Sequence, residues 1–525
     1  MPERRSIKVA VSVLADISLG IYRTPANALK ELISNAFDAD ATRVSIGTGY
    51  PHFLTITCQD NGRGMSIEEF HEIMNRIGGS AKRIGGRQLT TKKRPIIGRI
   101  GIGILAVAQI CRRFTIISSQ QGNGTKFEAV VDFEGLDTEE AKKITLGSKE
   151  AGEKKIGSYE WVGELPESPE AHYTRIVLQR IEPGFRDRLL AKRGPESNVR
   201  DFKLKAGDPK VISDFVGWLG GTSVRDISDY NKLLWELAVI CPVPYLDDGP
   251  ILGHSVISDI KQNLLDFDFT VEIDGLELRK PILFPTDRDI VQEEEDYKVY
   301  PVEFDGVVDD RRLAFTGYIY HQRKSIAPPE LRGLLIRIRN VAIGMYDKSL
   351  LNYPKAQGPR MAALSGEIYV EEGLEDALNV DRNSFRETDP HYLKLQEVIY
   401  TRLGGNRKTR TPGVFSDISK RSRERNRARR SREGLEVRMK MLDDIRNVFG
   451  ESFEIITSDD DSPIAVEVDT ESGTVTIYER HPVFPRSRTT RRLFERVLIA
   501  YELAGQVAES KDEAREEFYR LLMKD

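Results

Sequence analysis

Only three cysteines, Cys58, Cys111 and Cys241, occur in 525 residues, far apart and without a C-x-x-C pair. That spacing suggests neither a disulfide framework nor a zinc site, and it fits a reducing cytoplasm. Long apolar runs are also missing, since none approaches the roughly 20 residues that span a bilayer. Residues 7–21 are interrupted by Asp16 and carry no signal-peptide pattern. The expectation is a cytoplasmic protein with no membrane partner. Excess charge of one sign is lacking too: 78 Lys and Arg face 82 Asp and Glu, a net charge of -4. No global field steers the chain toward nucleic acid, so any basic site must be local. What is present is 39% apolar and 30% charged residues, the texture of a soluble globular protein. The length implies about three or four domains.

Along the chain, Thr24–Ala39 reads as a helix. Thr24-Pro25 supplies an N-cap followed by proline at the first helical position. Ala28, Leu29, Leu32, Ile33, Ala36 and Phe37 then recur at helical spacing. Val44–Ile46 and Phe53–Cys58 read as strands. Ser66–Ile77 reads as a helix opened by the capping box Ser66-x-x-Glu69. Ile102–Cys111 is apolar enough for a buried helix. Phe114–Ser119, Lys126–Phe133 and Thr174–Gln179 alternate like strands. The order fits an α+β layer, an open sheet covered by helices on one face.

Four separated clusters carry chemistry. In Glu31-Leu-Ile-Ser-Asn35-Ala-Phe-Asp38-Ala39, helical spacing puts Glu31, Asn35 and Asp38 on one face. Beside a triphosphate, the carboxylate can orient and deprotonate water, and the amide oxygen can help hold magnesium. An ordinary amphipathic helix with its polar face in solvent has the same pattern. Asp60-Asn61-Gly62-Arg63-Gly64-Met65 follows a strand. Its glycines let the backbone approach a flat ligand, and a strand-end aspartate can accept from an exocyclic amine such as that of adenine. A plain turn needs no more than Asp-Asn-Gly. Gly98, Gly101 and Gly103 precede an apolar stretch, where N–H groups at a helix start favour phosphate. The strand and spaced acidic residue that a dinucleotide fold requires are not evident. Thr174 opens the fourth cluster and can place a hydroxyl beneath a base.

Together, ELISNAFDA, DNGRGM and IGRIGIGILA, with a strand beginning at Thr174, resemble the GHKL family. It includes the ninety-kilodalton heat-shock chaperones, gyrase B subunits, MutL, MORC proteins and histidine kinases. The resemblance covers about residues 1–185 and implies a Bergerat ATP-binding sandwich using ATP and Mg2+. It makes Glu31 the general base and Asn35 the magnesium ligand. Asp38, Gly62 and Met65 count among the nucleotide-binding residues. Asp60 would bind the adenine amine, with Gly64 allowing close approach and Thr174 assisting. Gly98, Gly101 and Gly103 would line the phosphates, at the end of a mobile lid spanning roughly Gly78–Arg94. Gly79-Ser80-Ala81-Lys82 resembles the start of that lid, making Lys82 a phosphate-contact candidate beside the alternative of a solvated lysine. Only thirty residues precede Glu31, which argues against a histidine kinase.

Farther along, residues 186–258 read as a helical connector with a helix at Tyr230–Ile240. Residues 259–405 read as a transducer-like α/β domain, with β-rich runs at Leu313–His321 and Leu334–Val341 and a helix at Tyr392–Leu403. Arg332–Val341 resembles the chaperone middle domain. Asn379-Val-Asp-Arg382-Asn-Ser-Phe385 resembles its loop with an arginine for the γ-phosphate. Arg382 is the counterpart, with Asp381 and Asn383 replacing the family's serine and glutamate; a surface pair with Asp381 or Glu387 is the alternative. Residues 406–440 form a basic helical linker, and residues 407–432 are a candidate nucleic-acid contact because phosphates would neutralise clustered arginines. A solvated linker helix fits the same charges. Residues 441–525 read as a small α/β domain, with strands at Ile464–Val468 and Thr474–Tyr478. The resemblance implies a slow, nucleotide-driven clamp working as a homodimer on nucleic acid, or in bacterial defence. A chaperone with protein clients and a nucleotide-gated module with negligible turnover are the alternatives.

Overall fold

Proline at the first helical position sets where the opening helix begins: α1 runs Pro25–Asp38. Its Ala28, Leu29, Leu32, Ile33, Ala36 and Phe37 are all buried, as the spacing predicts. The computed structural model describes residues 3–10, 25–76, 89–94, 96, 107–133, 153–191, 228–245, 254–265, 268–280, 297–327, 329–355, 357–379, 383–406, 409–427, 454–469, 473–485 and 488–522. They fall into two units, Met1–Val414 and Phe415–Asp525. Among the described residues no helix is long and apolar enough to cross a membrane.

The first unit is built on a nine-stranded sheet. In chain order its strands are β1 Glu3–Ala10, β2 Arg43–Gly47, β3 Ile56–Asp60, β4 Cys111–Ser119, β5 Thr125–Asp132, β6 Glu153–Pro166, β7 Tyr173–Ile181, β8 Thr270–Ile273 and β9 Leu276–Glu277. Across the sheet they lie in the order β1-β6-β5-β4-β7-β3-β2-β8-β9. The pairings are antiparallel except β2 with β8. Helix α2, Ile67–Arg76, starts at the expected capping box: Glu69 N–H donates to Ser66 Oγ, and Ser66 N–H donates to Glu69 Oε2, both at 3.2 Å. The far edge is tied on by side chains. Thr48 Oγ1 donates to Asp274 at 2.6 Å, and Arg43 pairs with Glu272 at 2.6 Å. This edge comes from beyond residue 259, in the span read as the second domain.

Helices α3 Pro183–Leu190, α4 Asp229–Ile240 and α5 Ser255–Leu265 follow. Helix α4 packs against α1 and also against a second sheet. That sheet has five strands, β10 Tyr297–Val308, β11 Arg311–Gln322, β12 Gly333–Ile338, β13 Val341–Asp347 and β14 Leu364–Glu372, in the order β10-β11-β14-β12-β13. Strands β12 and β14 are parallel. Helix α6, Pro390–Gly404, starts at Asp389, whose side chain accepts from the N–H groups of His391 and Tyr392.

Buried in this part is a charged network. Glu367 accepts from Arg337 Nε and Tyr346 Oη at 2.6 Å, Tyr369 Oη at 2.7 Å and Tyr245 Oη at 2.9 Å. Lys280 is fully buried, with Nζ 5.1 Å from the Tyr245 ring centroid and 5.9 Å from that of Tyr369. Its Nζ has no hydrogen-bond partner among the described residues. Burial, and then the neighbouring Arg337, hold the Lys280 ammonium well below its ordinary range.

In the second unit, Glu454–Ser458 pairs parallel with Thr474–Tyr478, which pairs antiparallel with Val466–Asp469. Helices Arg488–Val507 and Lys511–Leu522 follow, and Ile499 and Leu503 join Val466, Val468, Val475 and Ile477 in one core. A helix over 414–427 carries part of the basic tract. The rest, up to 440, lies outside the described residues.

Two expected elements differ. Residues 102–106 of the apolar stretch lie outside the described residues. Val107–Gln109 forms one 3₁₀ turn, and Cys111 already pairs with Ile181 in the sheet. A run without periodicity fits a buried strand as well as a helix. The run Leu334–Val341 is split by a turn at Arg339-Asn340, both at positive φ (51° and 70°), so it makes two antiparallel strands.

Candidate functional site

Strand alternation builds the floor of the site. On β3, Ile56 and Cys58 are buried, so the period of two puts Asp60 on their side of the sheet. On β4, Phe114 and Ile116 are buried ahead of Ser118; on β7, Leu178 is buried on the side shared by Ile176 and Thr174. Registers align the three polar ends, Asp60 opposite Thr174 and Thr174 opposite Ser118. Three inward-facing polar side chains thus sit in a row where the apolar layer stops.

They are interlocked. Ser118 Oγ donates to the Tyr173 carbonyl at 2.8 Å and accepts from the Met65 N–H at 2.9 Å. Its single proton being committed, the 3.1 Å contact with Thr174 Oγ1 has threonine as donor. The Asp60 carboxylate accepts from the Gly62 N–H at 2.8 Å and also from the Thr174 N–H. Burial of the carboxyl nonetheless pushes Asp60 up to about 6, with those two N–H groups and His172 pulling the other way. His172 Nδ1 lies 2.8 Å from the Gly62 carbonyl oxygen.

The turn after β3 must be glycine where it approaches other backbone. Gly64 has φ +69°, and a Cβ there would lie 1.8 Å from the Ser119 carbonyl oxygen. A Cβ at Gly62 would meet the Ala39 carbonyl oxygen at 2.7 Å. The Arg63 N–H donates to that same oxygen at 2.8 Å, docking the turn on the C-terminal end of α1. On α1 itself, Glu31 is buried, Asp38 is half-buried and Asn35 is exposed. Arg94 locks this end of the helix. Its guanidinium donates to the Ala41 carbonyl at 2.5 Å and the Asp268 carbonyl at 3.2 Å, and lies 4.8 Å from the centroid of the Phe37 ring. The last residue of the expected lid is therefore a buried anchor; residues 77–88 lie outside the described residues.

Asp60, Gly62, Gly64, Met65 and Thr174 are thus brought together, and the turn docks on Ala39, just past the end of the helix that carries Glu31, Asn35 and Asp38. Lys82, Gly98, Gly101, Gly103 and Arg382 lie outside the described residues. Sequence reading missed Ser118 and His172. Ser118 was detectable as the polar residue breaking the inward pattern Phe114, Ile116; nothing local marks His172.

Among the described residues no group of three His, Cys, Asp or Glu can hold a metal unaided. The donor chemistry of α1 still fits magnesium. Asn35 offers one hard oxygen from an exposed position, and Mg2+ usually keeps waters and takes substrate phosphate oxygens for the remainder.

The nine-stranded sheet with its helices is consistent with the GHKL-type ATP-binding sandwich. Residues 22–159 match the family described as histidine kinase-, DNA gyrase B-, and HSP90-like ATPase. The matched span holds α1, the Asp60–Met65 turn and Ser118. That description covers kinases, gyrases and chaperones alike, and the match assigns no branch. In Herpetosiphon aurantiacus, a putative type II restriction enzyme, HgiDII, is 36% identical over 121 residues, 22% of this chain and 18% of that protein. The chain thus matches under a fifth of that relative's length.

The Asp60 value has a testable consequence. An ionised Asp60 accepts from an amine, whereas a protonated one cannot do so equally well. Affinity for ATP is expected to fall about tenfold between pH 7.5 and pH 5, one unit below the raised value. Titration calorimetry at the two pH values checks this, with Asp60→Asn expected to flatten the profile. Without nucleotide the sign reverses. The raised value contributes stability that is fully present below the ordinary aspartate range and is lost as pH rises through about 6.

Proposed function

We propose that the chain binds Mg-ATP over the Asp60–Thr174–Ser118 row and hydrolyses it slowly, using Glu31 to activate water. The observation that carries this reading is the row itself: a carboxylate, two hydroxyls and a side-chain-free glycine at one end of the sheet. The buried Glu31 and the exposed Asn35, one turn apart on the helix docked beside the row, support it. Asp60 takes the adenine amine, Thr174 backs the base, and Asn35 contributes to magnesium. Gly98, Gly101, Gly103 and Lys82 are assigned to the phosphates on family resemblance. Arg382 is assigned to the γ-phosphate. That assignment too rests on family resemblance; the next residue, Asn383, accepts a hydrogen bond from Lys30, the chain neighbour of Glu31, at 3.2 Å.

Residues 1–185 then form the nucleotide module and the second sheet a transducer, in a clamp that closes when two copies associate around bound ATP. DNA is the partner to test first. The relative is named as a putative restriction enzyme, and the helix over 414–427 exposes Lys420, Arg423 and Arg427. Such a cationic face gains from phosphate contact by counterion release. The full chain is expected to release phosphate from Mg-ATP at a rate raised by double-stranded DNA. ATP bound without any phosphate release would reduce the reading to a nucleotide-gated module. Stimulation by an unfolded protein, and not by DNA, would favour a chaperone.

A further inference from the structure

Lys30 is 3% exposed, next to Glu31, on a helix otherwise buried through its apolar face. Its ammonium donates to Asn383 Oδ1 at 3.2 Å, across 353 positions of chain. Bonds on either side of it in the chain hold Asn383. The Asn379 N–H donates to the Ser384 carbonyl at 3.0 Å, and Asn379 Nδ2 donates to Ser384 Oγ at 2.9 Å. Leu378 bridges to Phe385, whose ring stacks on Tyr392 of α6. Beneath it, Gly344 of β13 has φ +73°, and a Cβ there would lie 2.8 Å from the Asn383 carbonyl oxygen. The loop can reach Lys30 only because that strand position has no side chain.

A second tie runs from the same sheet. At the β12–β13 turn, Arg339 pairs with Glu375 at 2.8 Å, and both side chains are nearly buried. The Arg339 guanidinium also donates to the Ile96 carbonyl, two residues after the Arg94 anchor.

We infer that Lys30 is a positioning residue, and that its bond to Asn383 fixes the helix carrying Glu31 against the second sheet. A long amine on α1 has little reason to be buried unless an acceptor waits there, because an unmatched buried ammonium is costly. The acceptor comes from a loop of the other sheet, so the rotation of α1 about its axis is set from outside the nucleotide module. Glu31, one residue on, inherits that setting. A carboxylate displaced by about 1 Å can cost about a hundredfold in rate without altering how the base is bound. This inference rests on the reading of Glu31 as the base, but the geometry it asserts can be measured without turnover.

The test uses the full chain and the variants Asn383→Leu, Asn383→Asp and Lys30→Met. Phosphate release from Mg-ATP gives kcat and KM, and hydrogen exchange is followed in peptides covering residues 25–38. Asn383→Leu and Lys30→Met are expected to lower kcat about ten- to a hundredfold with KM within about twofold, and to speed exchange in 25–38 about tenfold. Asn383→Asp keeps the acceptor oxygen and is expected to retain at least about half of kcat and the parental exchange. Unchanged exchange in 25–38 for Asn383→Leu overturns the inference whether or not the parent turns over. So does a matched loss of kcat in Asn383→Asp, which marks a structural loop with no role for the acceptor. A parent without turnover but with faster exchange in Asn383→Leu sinks the base assignment and leaves the positioning contact standing.

Discussion

Replacing Glu31 with alanine is expected to slow phosphate release from Mg-ATP by about 10²–10⁴-fold, the usual worth of a positioned general base, while ATP affinity stays within about threefold. The split between the two readouts is the argument. A base acts on the attacking water only as the new bond forms, so its removal raises the barrier and leaves the ground-state contacts proposed for the adenine at Asp60 and Thr174. Glu31 is 3% exposed, which keeps competing water away from its carboxylate. Glu31→Gln keeps the shape and a hydrogen-bonding oxygen but cannot take the proton, so it should lie close to alanine in rate and close to the parent in affinity. Single-turnover phosphate release with a separate binding titration checks both. If Glu31→Ala turned over like the parent, the role would pass to another group, with Asp38 the first to examine.

Glu367→Ala is expected to cost about 3–5 kcal/mol, the largest stability loss that a single substitution outside the nucleotide site should give. The carboxylate accepts from four buried donors, and both it and Arg337 have side chains only 1% exposed. Removing it takes the acceptor from a buried guanidinium and from the Tyr346 hydroxyl, and leaves Tyr245 and Tyr369 only each other; each unsatisfied group carries its full desolvation penalty. Glu367→Gln should lose less, because an oxygen stays. Burial works to raise this carboxyl, but Arg337, by charge and by hydrogen bond, outweighs it and holds Glu367 down at about 2. Its contribution is therefore present above the ordinary glutamate range and is lost as pH falls from there through about 2. Urea titrations at pH 7 and pH 3 check both points. A Glu367→Ala midpoint equal to the parent's at pH 7 would mean that the network contributes nothing net.

Local chemistry was readable from the chain, and long-range pairing was not. Pro25 marks the start of α1, and Ser66-x-x-Glu69 closed as the capping box it spells. Asp60-Asn61-Gly62 made its turn at the end of a strand. Each of these depends on neighbours within a few residues. The Asp60–Thr174–Ser118 row depends instead on register between β3, β7 and β4, strands whose partners lie up to 122 positions apart (Ile56 faces Leu178), and Ser118 gains meaning only once that register is known. Glu153–Pro166 went unread because a sheet strand with one wet face and several polar residues has weak alternation. Cys111 was assigned to a helix because a run buried on both sides has no period at all. Nothing near Lys30 in sequence announces Asn383.

The parallel pairing of β2 with β8 also sets where the chain can be divided. A fragment ending near residue 185 would keep every element of the matched family span, yet it would leave the β2 margin bare. Arg43–Gly47 would then present a row of open amides and carbonyls with Val44 and Ile46 beside them, a template on which another molecule's strand can add. Residues 270–277 act, in this sense, as a sealing strip supplied from later in the chain.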